Sequence, residues 1–376
     1  MASSSCSSLK VAVIGGGLIG PRHAQSVISN PSTELVALVE PSPNGSSVAA
    51  SLNTHHYPST SALILSPHKP DAAIICTPNH THVPLALELI AAGVHILVEK
   101  PISTTIPSGR ELITVAKERD VKLLVGHHRR FNPYLLRAKS SISSLGRILA
   151  IQGTWTLLKP PSYFQGPTNS WRQSQTSGGG VVLINLIHEI DLLQYLLGPI
   201  VLVSALGTQK TREHDAEEGA AILMRFESGV VGTFILCDTT PSPWNFEAGT
   251  GENPTIPKVE GGGSFYRIFG AEGSLSVPDL ARWSYDHVEE GQGKEKGWNE
   301  VLKKEEIPVE KEEVPFDLQL QHFVDVVRDG KEPSCTGVEA LRALVVCEAV
   351  KTAMKNADGM PVEIHGFEIK NRNKVD

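Results

Sequence analysis

The sequence is short of most features that would take it away from ordinary globular enzymes. Among its 376 residues no apolar run approaches the ~20 needed to span a bilayer, which argues against a membrane protein. Positive charge is not in excess. The 34 Lys and Arg are outnumbered by 41 Asp and Glu, and a net charge of -7 disfavours nucleic acid and anionic lipid as partners. Only five cysteines occur (Cys6, Cys76, Cys237, Cys335, Cys347), scattered and not at metal-ligand spacing. Cys76 and Cys237 sit in apolar strand-like runs and read as buried free thiols, so a reducing, cytoplasmic location is expected. The pairs His55-His56 and His127-His128 do not supply a metal site either, because adjacent side chains diverge and no acidic or Cys partner stands at ligand spacing. No metal is expected. Residues Met1–Ser8 lack the apolar core of a secretory signal and read as a frayed polar extension.

What is present fits two domains: 40% hydrophobic and 20% charged residues in a chain too long for one ordinary core. Leu9–Ile14 is a short apolar run, as expected of a strand covered on both faces. It leads into Gly15-Gly16-Gly17-Leu18-Ile19-Gly20, with glycines at the first, third and sixth positions of G-x-G-x-x-G. Gly15 allows a tight turn, Gly17 the close approach of a pyrophosphate, and Gly20 close packing of helix on strand. The helix that follows aims its N-terminal amides at phosphate. A second strand, Glu34–Val39, ends at Glu40, 40 − 20 = 20 residues beyond the last motif glycine, where a ribose-binding carboxylate belongs. Glu40 repels a 2′-phosphate, and Pro41-Ser42-Pro43 supplies no cation to offset it, so NAD is expected in preference to NADP.

Strand and helix then alternate. Strands are expected at Asp71–Cys76, Val94–Val98 and Val121–Val125, with helices over Ala86–Ala92 and Pro107–Arg119. That order implies a doubly wound parallel sheet, a Rossmann domain over residues 1–130, with its ligand beyond the carboxyl ends of the strands.

Three further motifs carry a resemblance. Thr77-Pro78-Asn79-His80-Thr81-His82, Glu99-Lys100-Pro101, and Gly178-Gly179-Gly180 before a helix with His188 and Asp191 are together similar to the glucose–fructose oxidoreductase/inositol dehydrogenase (Gfo/Idh/MocA) family. Arg130-Phe131-Asn132-Pro133 and Trp171-Arg172 extend the likeness over nearly the whole chain after residue 8. The resemblance implies that Gly15, Gly17, Leu18, Ile19, Gly20 and Glu40 hold the adenosine diphosphate half of the cofactor. It implies that Thr77, Pro78, Asn79 and His82 line the path to the nicotinamide, and that Glu99 contacts the nicotinamide ribose. Lys100 would face the reacting carbon, Trp171 and Arg172 would close over the cofactor, and His188 would complete proton transfer with Lys100. Arg130, Tyr163, Asn185, Asp191 and Trp244 join Lys100 and His188 as expected substrate contacts. A Lys beside NAD⁺ can stabilise a developing alkoxide, and a His suits proton relay.

One departure stands out. Many sugar and cyclitol dehydrogenases of this kind carry Asp four residues before the helix His, and here 188 − 4 = 184 is Ile. Asn185 and Asp191, three residues either side of His188, are the polar candidates left on that face.

The remainder, residues 131–376, reads as an α+β domain with a mainly antiparallel sheet for substrate binding and oligomerisation. Strands are expected at Arg147–Leu158, Glu217–Phe226, Val230–Cys237, Ser264–Phe269 and Ser274–Val277, and late helices at Phe316–Arg328 and Val338–Lys355. Val230–Cys237 is apolar at consecutive positions, which suggests burial on both faces and a homodimer or homotetramer joined through the sheets. Lys159–Gly180 and Thr239–Gly263 are long loops bearing Tyr163, Phe164, Trp171, Trp244 and Phe246, rings suited to a sugar face or to anchoring the loops. The charge-rich stretch Glu289–Glu313 reads as a solvated insertion. Three functions remain open: a dehydrogenase of sugars or cyclitols, a C=N reductase, and a catalytically silent cofactor sensor. Retention of Lys100 and His188 favours the first two.

Overall fold

A computed structural model describes residues 8–166, 169–289, 295–309, 313–356 and 359–371. Residues 1–7 of the expected N-terminal extension lie outside the described residues, as do 290–294 and 310–312 of the charged stretch.

Short apolar runs build the first sheet: β1 Leu9–Ile14, β2 Thr33–Val39, β3 His55–Tyr57, β4 Ala72–Ile75, β5 His95–Glu99 and β6 Leu123–Gly126. They are parallel throughout, in the order β3-β2-β1-β4-β5-β6. Val11–Ile14 and Ala72–Ile75 are essentially inaccessible, as a sheet with both faces covered requires. The connections carry α1 Gly20–Ser29, α2 Gly45–Ser51, α3 Thr60–Ile64, α4 His82–Ala91 and α5 Ile106–Glu118. Pro107 in the first turn of α5 and the Thr105 side chain accepting from the Ser108 amide start that helix. Strand order reverses between β1 and β4, which locates the ligand crevice at the carboxyl ends of these strands.

The sequence predicts two continuous domains meeting after residue 130; the compact units are each made of two chain segments. One compact unit runs up to Phe131 and also takes Glu313–Leu341; the other is Asn132–Glu312 with Arg342–Asp376. The reason is packing. The helix Pro315–Asp329 sets Phe316 against the rings of His23 and His128, at 4.9 and 4.4 Å, with the Arg22 guanidinium 3.9 Å from its centroid. Thr336 bridges to Leu124, and Glu339 pairs with Arg130 at 2.9 Å.

The second unit is built on a ten-stranded sheet: β7 Ile148–Thr156, β8 Ile200–Gly207, β9 Gly219–Phe226, β10 Val231–Cys237, β11 Tyr266–Gly270, β12 Gly273–Val277, β13 Ala281–Ser284, β14 Lys303–Glu306, β15 Val362–His365 and β16 Glu368–Asn371. All its neighbours pair antiparallel except β7 with β10. Helices α6 Pro133–Ser141 and α7 Ile187–Leu197 belong to this unit. Two expectations need correction. Within one chain β10 is buried on one face only: Val231, Thr233 and Ile235 are exposed while Gly232, Phe234 and Leu236 are buried. Its apolar outward residues hid an ordinary alternation. Within the charged stretch, Lys303–Glu306 is an edge strand paired with β13, its charged side chains all exposed, which protects an open sheet edge.

Candidate active site

The glycine turn after β1 is shaped by contacts that a side chain would break. Gly15 has φ +105°, and a Cβ there would lie 2.9 Å from the Cys76 carbonyl oxygen; a Cβ on Gly20 would lie 2.0 Å from the Gly15 carbonyl oxygen. Gly17 differs: a Cβ there meets no protein atom within 4 Å. The turn therefore presses on β4 and α1 but leaves room at Gly17, a cradle that fits a pyrophosphate. Leu18 projects from it, 96% exposed, and Ile19 precedes α1.

Glu40, at the end of β2, accepts from the Gly16 amide at 2.7 Å and from the Ser42 amide at 2.9 Å. Burial pushes its carboxyl pKa up, but these amides outweigh it and hold the net value below the usual range. The group is an anion at neutral pH, placed beside the glycine turn.

Thr77, Pro78 and Asn79 follow β4, half-buried, exposed and half-buried, and open a single 3₁₀ turn in which Thr81 donates to the Thr77 hydroxyl at 2.7 Å. His82 is not available to line a cofactor path. It is 1% exposed, with Nδ1 2.8 Å from the Pro101 carbonyl and Nε2 2.8 Å from that of Thr77. Burial holds its pKa below the ordinary histidine value against the pull of both carbonyls. Its work is to tie the loop after β4 to the loop after β5.

Glu99 also does something other than face a ribose alone. It is 7% exposed; His23 Nε2 lies 2.8 Å from Oε1, and the Lys100 amide donates to Oε2 at 3.2 Å. Burial opposes ionisation, yet His23, with His128 and Lys100, brings the pKa down to about 2. A Cβ on Gly126 would lie 2.9 Å from Oε1, so β6 carries a glycine where this carboxylate needs room. The result is a fixed anion that pins the backbone of half-buried Lys100. Arg130 departs further from expectation. At 1% exposure its guanidinium is spent on the Ser334 carbonyl and on Glu339, so it braces the unit rather than meeting substrate.

In the second unit, a π-helical turn over Val182–Leu186 precedes α7. Such turns recur at functional sites because they re-aim side chains. Asn185 lies in the turn, half-buried; His188 and Asp191 lie on α7, 6% and 1% exposed. Tyr163 carries the Arg172 guanidinium 4.1 Å from its ring centroid, and Arg172 donates to the Tyr163 carbonyl at 2.7 Å. Trp171 and Trp244 are 37% and 50% exposed, so both retain free ring surface. Phe246 is fully buried, Asn245 caps a short helix through Ala248, and Glu247 accepts from Trp155 Nε1 at 2.8 Å. Of the second long loop, only Trp244 is left facing outward among these aromatic and polar residues.

Matches to known proteins agree with both halves. The description "Oxidoreductase family, NAD-binding Rossmann fold" fits residues 9–127, and "Oxidoreductase family, C-terminal alpha/beta domain" fits 139–364. The chain belongs to the Gfo/Idh/MocA oxidoreductase family. It is similar to scyllo-inositol 2-dehydrogenase (NAD(+)) of Bacillus subtilis, 26% identical over 367 residues, covering 95% of this chain and 96% of that one. Inositol 2-dehydrogenase of Rhizobium meliloti is 30% identical over 190 residues, 50% of this chain and 55% of that one. The fold is shared with the WlbA dehydrogenase from Bordetella pertussis, solved with NADH and UDP-GlcNAcA, at TM-score 0.72 and 22% identity, covering 95% and 99% of the two chains. As a Gfo/Idh/MocA member the chain is an oxidoreductase with NAD as its cofactor.

One residue in each unit carried no signal that the family motifs use. His23 stands three residues past Gly20 on the buried face of α1, and only Glu99, 76 residues away, gives it meaning. Lys159 follows an apolar strand and precedes Pro160-Pro161, a setting that reads as solvated loop, yet it is 7% exposed. A buried Lys has to be held by partners elsewhere in the chain, and those partners are invisible from its neighbours in sequence.

Proposed function

We propose that the chain transfers a hydride between NAD and a carbon bearing a hydroxyl or carbonyl group on a sugar, cyclitol or related small polar molecule. The observation that carries this reading is the pinning of Lys100 at the carboxyl edge of the parallel sheet by the buried Glu99 carboxylate. NAD supplies the hydride acceptor or donor when bound. The chain supplies the rest. The Gly15–Gly20 turn and the start of α1 receive the pyrophosphate, and Glu40 receives the ribose hydroxyls. Lys100 stabilises negative charge on the reacting oxygen, and His188 carries the proton. Asn185, Tyr163 and Trp244 offer polar and ring contacts to the substrate, with Trp171 and Arg172 on the cofactor side. Relatives named for scyllo-inositol, inositol and levoglucosan support the substrate class. The test mixes purified protein and NAD⁺ with scyllo-inositol, myo-inositol and levoglucosan, and NADH with 1,5-anhydro-D-fructose, and follows NADH absorbance. Turnover of at least one is expected; turnover of none overturns the reading.

Assembly and location extend the proposal. Leu223, Val231, Ile235 and Phe269 give the sheet of the second unit an apolar outer face, 52%, 47%, 45% and 40% exposed, that a second copy would cover. A homodimer or homotetramer is therefore proposed, and light scattering that finds only monomer at micromolar concentration would refute it. No described helix is long and apolar enough to cross a membrane. Among the described residues Cys76, Cys237, Cys335 and Cys347 form no disulfide, which supports the cytoplasm as the proposed compartment.

A further inference from the structure

Lys159 is a buried lysine of the second unit, 7% exposed. Its ammonium donates to Asn185 Oδ1 at 2.7 Å and pairs with Asp238 Oδ2 at 3.1 Å. The faces of Tyr163 and Trp155 lie 4.8 and 5.6 Å from its nitrogen. Asp238 is itself 2% exposed, and its second oxygen takes the Arg212 guanidinium at 2.7 Å. Burial pushes the Lys159 pKa down, with Asp238 the main group opposing it. A buried ion pair contributes little net stability, because desolvating both charges offsets most of their attraction. What it does contribute here is orientation.

An ammonium donates and cannot accept, so it faces only the oxygen of the Asn185 carboxamide. The amide nitrogen must then point the opposite way. Asn185 is half-buried, and among the described residues its Nδ2 makes no hydrogen bond. It sits in the π-helical turn less than one turn before His188. Its neighbour at position 184 is Ile, so Asn185 is the polar side chain at this point of the turn.

We propose that Lys159 is a positioning residue for specificity: it locks Asn185 with Nδ2 outward, so that the substrate face beside His188 presents a hydrogen-bond donor. This rests on the proposed function. The substrate oxygen seated there accepts a hydrogen bond. An ether or carbonyl oxygen satisfies the donor with nothing left over, whereas a hydroxyl there must in addition direct its own proton to a second acceptor. A buried polar site discriminates against a partner that leaves one group unpaired. The substrate class favoured is thus an anhydro- or keto-sugar over an all-hydroxyl carbocycle.

Lys159→Met leaves Asp238 paired with Arg212, so it does not strand a buried charge. Five proteins are compared as holoenzymes with NAD⁺: wild type, Lys159→Met, Asn185→Ala, the double variant of those two, and Asn185→Asp. The probes are levoglucosan and scyllo-inositol. Loss of one hydrogen bond to an uncharged oxygen predicts KM for levoglucosan raised about 3- to 10-fold in either single variant, with kcat falling less. The double variant should be no worse than Asn185→Ala, because Lys159 acts through Asn185. Wild-type KM should be lower for levoglucosan than for scyllo-inositol. Asn185→Asp keeps the partner for Lys159 but turns an acceptor outward, and should raise KM for levoglucosan by at least ~10-fold. A Lys159→Met protein with a lower melting temperature and an unchanged KM overturns the proposal, as do multiplicative effects in the double variant or a wild-type KM for Asn185→Asp. If the wild type oxidises neither probe nor any other in the panel above, the proposed function falls and takes this inference with it.

Discussion

Gly17→Ala and Gly20→Ala remove the same kind of residue from the same turn, and the structure predicts opposite consequences. A methyl on Gly20 would lie 2.0 Å from the Gly15 carbonyl oxygen, which is backbone and cannot rotate away. Relief to a contact of ~3 Å needs a shift of roughly 1 Å of α1 against the turn, and overpacking of that sort costs about 1–3 kcal/mol. Each kcal/mol lowers the melting temperature by about 2–4 °C in a unit of this size. Gly17 has no protein atom within 4 Å of the added carbon, and its φ is not in the left-handed region. Alanine there restricts the unfolded chain and should leave stability unchanged or raise it by about 0.4–1 kcal/mol. The same methyl occupies the space through which a pyrophosphate approaches the backbone, so NADH affinity should fall at least ~10-fold, or about 1.4 kcal/mol. Thermal melts of the cofactor-free variants and NADH titration by fluorescence separate the two effects. Gly17→Ala with normal stability and normal NADH affinity would show that the cradle is not where the pyrophosphate sits.

Two further predictions come from the carboxylates of this unit. Glu40 makes NADH the tighter ligand over NADPH, and Glu40→Ala should narrow that gap in the same titration while weakening NADH itself; equal wild-type affinities would remove the argument. Glu99 has its pKa lowered on folding from 4.5 to about 2. Its stabilising contribution is therefore complete above pH 4.5 and is lost as pH falls through about 2; the shift is worth about 3 kcal/mol. Unfolding free energies from urea titration of wild type and of His23→Leu/Glu99→Gln, in which neither group titrates, should converge by about 1 kcal/mol between pH 5 and pH 3.5. A gap that stays constant over that interval would mean that Glu99 does not hold its proton as weakly as its partners imply.

The parallel sheet was legible because a strand buried on both faces leaves a plain apolar run, and because the glycine turn and Glu40 sit at fixed distances from it. β3 was not: His55-His56-Tyr57 has no apolar pattern and becomes a strand only by pairing with β2. β10 was misread for the converse reason, since an outward face bearing Val231 and Ile235 looks like a core face in sequence. The cut between units was half legible. Nothing near Phe316 shows that it packs on His23 and His128, because those contacts join residues some two to three hundred positions apart. What the side chains at the motif positions do was less visible. His82 and Arg130 have the residue types of binding groups and are consumed by internal carbonyls and Glu339. Lys159 has the look of a loop residue and is buried. For Arg130 and Lys159 the deciding partners Glu339 and Asp238 are distant in sequence, where no spacing rule reaches.

In the proposed function Lys100 serves the chemical step, and the glycine turn with Glu40 serves cofactor affinity. The direct measurement is kcat with the substrate found by the panel, beside NADH affinity, for Lys100→Met, with His188→Ala in parallel. Loss of a charge that stabilises the reacting oxygen predicts a fall in kcat of about 10²–10³-fold, and loss of a proton relay about 10²–10⁴-fold unless water substitutes. NADH affinity should stay within a few fold, because the distant half of the cofactor is held elsewhere. Lys100→Met that keeps near-normal turnover, or that loses NADH binding outright, would contradict the account.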